Sequence, residues 1–183
     1  MKYYSTNKKV ENVSLQEAVV KGLAEDKGLF MQEQIPQLDK QFFEHIDEFS
    51  FQEIAFEVAK ALFGDDVETE SLKQIVFETL NFDVPLVAVE NNIYSLELFH
   101  GPTLAFKDVG ARFMSRLLGY FIKKQGLKDV NVLVATSGDT GSAVANGFLG
   151  VEGITAERKK QKPRMRRLLY KSSALHWIAA KTS

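Results

Sequence analysis

The chain has 183 residues, 45% of them hydrophobic with 14 Phe and no Cys, and a formal net charge of −1. That length suits one ordinary domain or two small ones with a buried core, and the missing cysteines exclude disulfides, a thiolate nucleophile and a Cys-type zinc site. The opening MKYYSTNKKVEN lacks the apolar middle of a secretory signal, and no run approaches the ~18 apolar residues of a membrane span, so a soluble cytoplasmic protein with no membrane partner and no metal site is expected.

Ser14 and Glu17 fit a capping box, and Leu15, Ala18, Val19, Gly22 and Leu23 share a face, which predicts a helix ending near Gly28. Leu29 to Met31 and Ile35-Pro36 read as an extended connection, and Phe42, Phe43, Ile46 and Phe49 as a second helix. Ser50 and Glu53 repeat the capping signal ahead of Phe51, Ile54, Ala55, Val58, Ala59 and Leu62, with Gly64 as the stop. Thr69 or Ser71 then opens a helix carrying Leu72, Ile75, Val76 and Leu80. Residues 1–81 are thus expected to form a mostly helical region with its phenylalanines in the core.

From Phe82 the pattern alternates. Pro85 precedes the run LVAV, Asn91-Asn92 marks a turn, and Ile93 to Phe99 completes a hairpin. Val109, Phe113, Leu117, Leu118 and Phe121 recur at helical spacing up to Gly126, VNVLVA at Val130 to Ala135 reads as a buried parallel strand, and Ser142 to Leu149 as a short helix. Strand and helix in alternation predict that residues 82–154 form part of an α/β domain with a parallel sheet.

Charge divides the chain after Ile154. Residues 1–154 hold 14 Lys+Arg against 23 Asp+Glu, a net of about −9, while residues 155–183 hold 9 against 1, a net of +8, and together they recover −1. The basic tail 155–183 is expected to be disordered or foreign to the rest, as a shifted reading frame would produce. The other reading, a basic arm for nucleic acid or an anionic surface, is the less favoured.

Two stretches carry the chemistry. In LFHGPTLAFKD, Leu98 to Asp108, Lys107 follows Leu104, Ala105 and Phe106 where a helix begins; apolar neighbours and the positive end of a helix dipole both favour an uncharged amine, which can form a Schiff base with an aldehyde. In TSGDTGSA, Thr136 to Ala143, a loop between the buried strand and the next helix can present N–H groups and hydroxyls of Ser137, Gly138, Thr140 and Gly141 to an anion, while Asp139 can accept a hydrogen bond from a ligand hydroxyl. Neither a G-x-G-x-x-G nor a G-K-[ST] motif is present. Taken alone, Lys107 reads first as a helix-starting lysine paired with Asp108, and SGDTG as a tight turn with a helix cap; only their combination favours the chemical reading.

In combination these words resemble the N-terminal part of the threonine synthase family, through YYST at Tyr3 to Thr6, QEAVVKGLAEDKGLF at Gln16 to Phe30, LELFHGPTLAFKD at Leu96 to Asp108 and ATSGDTGSA at Ala135 to Ala143. The resemblance covers residues 1–154 and implies a fold type II, tryptophan-synthase β-like domain that uses pyridoxal 5′-phosphate. It implies conversion of O-phosphohomoserine and water to threonine and phosphate, with Lys107 as the cofactor lysine and the proton carrier. It further implies that Ser137, Gly138, Thr140 and Gly141 hold a substrate anion, that Asp139 faces the cofactor's 3′ oxygen, and that His100, Thr103 and Phe106 line the pocket. Members of that family are longer. The glycine loop for the cofactor's phosphate and the partner of its ring nitrogen are not matched here, so a truncated chain without activity of its own is expected. Two alternatives stand beside this reading: another fold type II lyase or dehydratase, and a non-catalytic fragment with a nucleic-acid-binding tail.

Overall fold

A computed structural model describes residues 1–126, 130–134, 138–158 and 178–181. The chain divides into two compact units, Met1–Asn81 and Phe82–Ser183.

In the first unit, β1 (Tyr3–Ser5) pairs antiparallel with β2 (Phe30–Gln32), Tyr3 opposite Gln32 and Ser5 opposite Phe30. The Asp26 carboxylate closes the loop beside them by accepting from Ser5 Oγ at 2.6 Å, Gly28 N at 2.9 Å and Lys9 N at 3.0 Å. The Ser5 hydroxyl, with the two backbone donors, holds that carboxyl below the ordinary aspartate range. Helix α1 (Leu15–Lys21) starts at Ser14, whose side chain accepts from Glu17 N. It stops at Gly22 and not near Gly28, where the spacing predicts its end, because Gly22 turns to φ 71° and its N–H closes on Ala18 O. Glu17 is also committed elsewhere, to Lys21 Nζ at 2.8 Å.

The second predicted helix is only α2 (Lys40–Glu44) followed by a 3₁₀ turn at Ile46–Glu48. The capping box ahead of α3 (Phe51–Phe63) forms in full: Ser50 Oγ accepts from Glu53 N, and Glu53 accepts from Ser50 N at 2.8 Å. Helix α4 (Thr69–Thr79) packs against α3, and Gln52 ties the two by donating to Leu80 O at 2.7 Å. The core is aliphatic, built from Leu15, Ala59, Val67, Leu72, Ile75, Val76 and Leu80. The phenylalanines expected there are not buried: Phe43, Phe49 and Phe51 are exposed, and Phe42 and Phe43 meet edge to face at 5.3 Å between centroids. A helix of five residues is too short to present a second apolar face to the α3 and α4 pair.

In the second unit, β3 (Leu86–Glu90) and β4 (Ile93–Leu96) form an antiparallel hairpin, with Asn92 at φ 61° in the turn. Helix α5 (Lys107–Gln125) ends at Gly126 in the left-handed region. Strand β5 (Val130–Val134) is the centre of a three-stranded sheet, parallel to β6 (Ile154–Arg158) and antiparallel to β7 (Ile178–Lys181). Strand β6 therefore runs across the point where the composition changes. Val130, Val132 and Val134 are buried on one face of the strand, while Asn131 and Leu133 on the other face are half-buried. Helix α6 (Asp139–Gly147) begins three residues before the predicted start, so Asp139, Thr140 and Gly141 are its first turn rather than part of the loop. No helix among the described residues is long and apolar enough to cross a membrane.

Candidate functional site

The chain leaving the hairpin is folded into two consecutive turns before α5. Leu104 N donates to Gly101 O at 3.0 Å, and Asp108 N to Ala105 O at 2.9 Å. Asp108, fully buried, accepts from Thr103 N at 2.8 Å and from Thr103 Oγ1 at 2.6 Å. Gly101 lies against the same carboxylate: a Cβ there would come within 2.7 Å of Asp108 Oδ2 and 3.1 Å of the Phe82 ring. Between these contacts Leu104 adopts φ 56°, a conformation that costs a side-chain-bearing residue roughly 1–2 kcal/mol.

Lys107 is the first residue of α5 and is half-buried, with Nζ 5.5 Å from the centroid of the Phe106 ring. The apolar pocket predicted around it is not closed by its sequence neighbours, since Leu104 is 77% and Phe106 62% exposed. The left-handed turn at Leu104 leaves that side chain in solvent instead of folding it over the amine. Nor does Lys107 pair with Asp108, whose carboxylate is taken by Thr103; among the described residues no carboxylate forms an ion pair with Lys107.

The second stretch is the N-terminus of α6. Gly138 is its N-cap at φ 72°, ψ −114°, and among the described residues no side chain caps the helix or stands where a Cβ of Gly138 would be. Among those residues the first-turn N–H groups keep no side-chain partner, an arrangement suited to an anion at a helix end. Asp139 is exposed, Thr140 half-buried and Gly141 buried, while Ser142 N and Oγ both donate to Gly138 O. Ser137 lies outside the described residues.

Helices α5 and α6 pack closely, and their glycines show how. A Cβ on Gly147 would stand 2.9 Å from Ala111 O, and one on Gly119 would stand 2.7 Å from Val151 Cγ1, so the two segments run in the same sense. At 1.5 Å per residue, Asp139 lies about 12 Å before Gly147 and Lys107 about 6 Å before Ala111. The N-terminal end of α6 therefore falls on the side of the Thr103–Lys107 loop.

His100 has its Nε2 2.7 Å from Glu97 Oε2 and its ring stacked on Phe99 at 4.9 Å, so it is engaged with its own loop. His45 pairs with Glu48 on the surface, and His176 lies outside the described residues. The residues that sequence reasoning missed are Gly101 and Asp108 as the frame of the loop. Asp108 reads in the sequence as a neighbour of Lys107, and nothing in one-dimensional spacing shows a carboxylate turned back toward Thr103.

The comparisons with known proteins agree on one family. A family profile described as the threonine synthase N terminus matches residues 2–80. The threonine synthase of Haemophilus influenzae is 42% identical over 154 residues, which is 84% of this chain and 35% of that protein. Among solved structures, threonine synthase from Escherichia coli superposes with a TM-score of 0.77 at 37% identity, over 86% of this chain and 36% of the other. A threonine synthase from Brucella melitensis, solved with PLP bound, superposes at 0.81 and 32% identity, over 86% and 35%. The chain thus spans about a third of the length of the relatives it matches.

Proposed function

We propose, on the premise that this chain carries the N-terminal part of the threonine synthase family, that it contributes Lys107 and the α6 N-terminus to a pyridoxal-phosphate site converting O-phosphohomoserine and water to threonine and phosphate. The observation that carries this reading is the state of Lys107: an amine at a helix start, beside an aromatic ring, with no carboxylate ion-paired to it among the described residues. An amine of that kind is what the cofactor's aldehyde carbon requires, so the residues present fit the group.

When bound, pyridoxal phosphate supplies an electron sink for charge developing at the substrate's α and β carbons. Lys107 Nζ would be the group that holds the cofactor, and it would take and return protons at the substrate's α and β carbons. Phe106 forms one wall beside Nζ. The first-turn N–H groups of α6, at Thr140 and Gly141, with Gly138 at the N-cap and Ser137 next to it in the sequence, bind the substrate's anionic group. Asp139 carries the wrong charge for that anion, and its exposed carboxylate suits the hydroxyl at the cofactor's 3′ position. His100 and Thr103 line the entrance from the loop side.

The test is covalent labelling. The full chain is mixed with pyridoxal phosphate, reduced with borohydride and mapped by mass spectrometry, with phosphate release from O-phosphohomoserine measured in parallel. Preferential labelling of Lys107, suppressed by O-phosphohomoserine, is expected; label scattered over the lysines according to exposure would refute the assignment.

A further inference from the structure

We infer that Asp108 is a positioning residue: through its clasp on Thr103 it sets the place of the Lys107 amine. The inference rests on the cofactor role of Lys107 given above. The first turn of a helix frays readily, because its N–H groups have no intrahelical acceptors. A lysine at the first helical position would then carry its amine over several ångströms, at a large cost in the productive orientation of reacting groups. Here the turn is pinned twice at the adjacent residue. Asp108 N donates back to Ala105 O, and its side chain receives both Thr103 N and Thr103 Oγ1, at 2.8 and 2.6 Å.

Three further features mark this as a built frame. A carboxylate with no solvent exposure is retained, and its burial is offset by two short donors and by its place in the positive first turn of α5. Gly101 is packed so tightly on the carboxylate that a methyl group would overlap it. Leu104, exposed and in the left-handed region, is strained, and such strain persists only where its surroundings over-determine it. Asp108 does not pair with the amine beside it; it bonds Thr103 instead and fixes the backbone that carries that amine.

The experiment reads the ratio of Lys107 to Lys123 labelling by pyridoxal phosphate and borohydride within each molecule, Lys123 being the internal standard near the far end of α5. Losing a hydrogen bond to a charged group should lower that ratio about tenfold in Asp108→Asn and Thr103→Val, with helical circular dichroism unchanged. Thr103→Ser keeps the hydroxyl and should restore the wild-type ratio, which a merely structural loss of volume would not do. Wild-type ratios in both Asp108→Asn and Thr103→Val, against a wild-type chain that does select Lys107, would overturn the positioning role alone. A wild-type chain that does not select Lys107 would overturn the cofactor assignment and this inference with it. Should Asp108→Asn not fold, the Thr103 pair decides the question.

Discussion

The close approach of α6 to the α5 backbone at Gly147 allows a prediction with a sign. In Gly147→Ala the new methyl would stand 2.9 Å from Ala111 O and 3.0 Å from Ala111 C, both backbone atoms of α5 that cannot rotate aside. Ordinary contact needs roughly 0.5 Å more, so α6 must move away from α5 as a body, and such overpacking costs about 1–3 kcal/mol. Against this, alanine improves helix propensity by up to ~1 kcal/mol, and less at the last residue of a helix. A net loss of about 1–2 kcal/mol follows, lowering the melting temperature by roughly 2–8 °C for a chain of this size. Gly110→Ala is the matched control: it lies in α5, is exposed, and has nothing within 4 Å of its Cβ position. It should stabilise by about 0.5–1 kcal/mol from propensity alone. Both variants are read by thermal unfolding followed by circular dichroism at a helical wavelength. A Gly147→Ala chain as stable as wild type, with Gly110→Ala behaving as stated, would refute the close approach of the two helices.

Other expectations concern the first unit and the site loop. Ser50→Ala removes the acceptor for Glu53 N and should cost about 1 kcal/mol in urea unfolding, while Ser50→Asp should retain most of the stability. Asp26 has a folded-state pKa below its unfolded value, so its contribution is present above the unfolded pKa near 4 and is lost as pH falls through the lower folded value. The melting temperature should therefore fall as the solution is acidified below that point, and Asp26→Asn should flatten the fall; an unchanged slope counts against the Ser5 contact as the cause. Gly101→Ala should destabilise by about 1–3 kcal/mol and lower the Lys107 labelling ratio, because its methyl would displace the Asp108 carboxylate.

The elements most legible in the sequence are those written in local chemistry. The Ser50 and Glu53 box, the Gly64 and Gly126 stops and the Asn91-Asn92 turn each depend on residues within a few positions, so residue type and spacing are enough to place them. The buried β5 run was legible for a similar reason: a continuous apolar segment of that length has few other uses. The resemblance to the N-terminal part of threonine synthases was also readable before any coordinates, because whole words such as LELFHGPTLAFKD depend on order alone.

What only the tertiary structure decided depends on contacts between residues far apart or turned in unexpected directions. The length of α1 was set by Gly22 entering the positive-φ region, where periodicity suggested continuation. Phe42 and Phe43 lie outside the core because α2 is too short to offer them a face, which composition cannot reveal. Lys107 stands at the start of α5 as its sequence implies, but with open flanks and, among the described residues, no carboxylate ion-paired to its amine. The reason is that Asp108 turned back onto Thr103 and Leu104 turned out to solvent, two choices of backbone angle and side-chain direction that no linear pattern specifies.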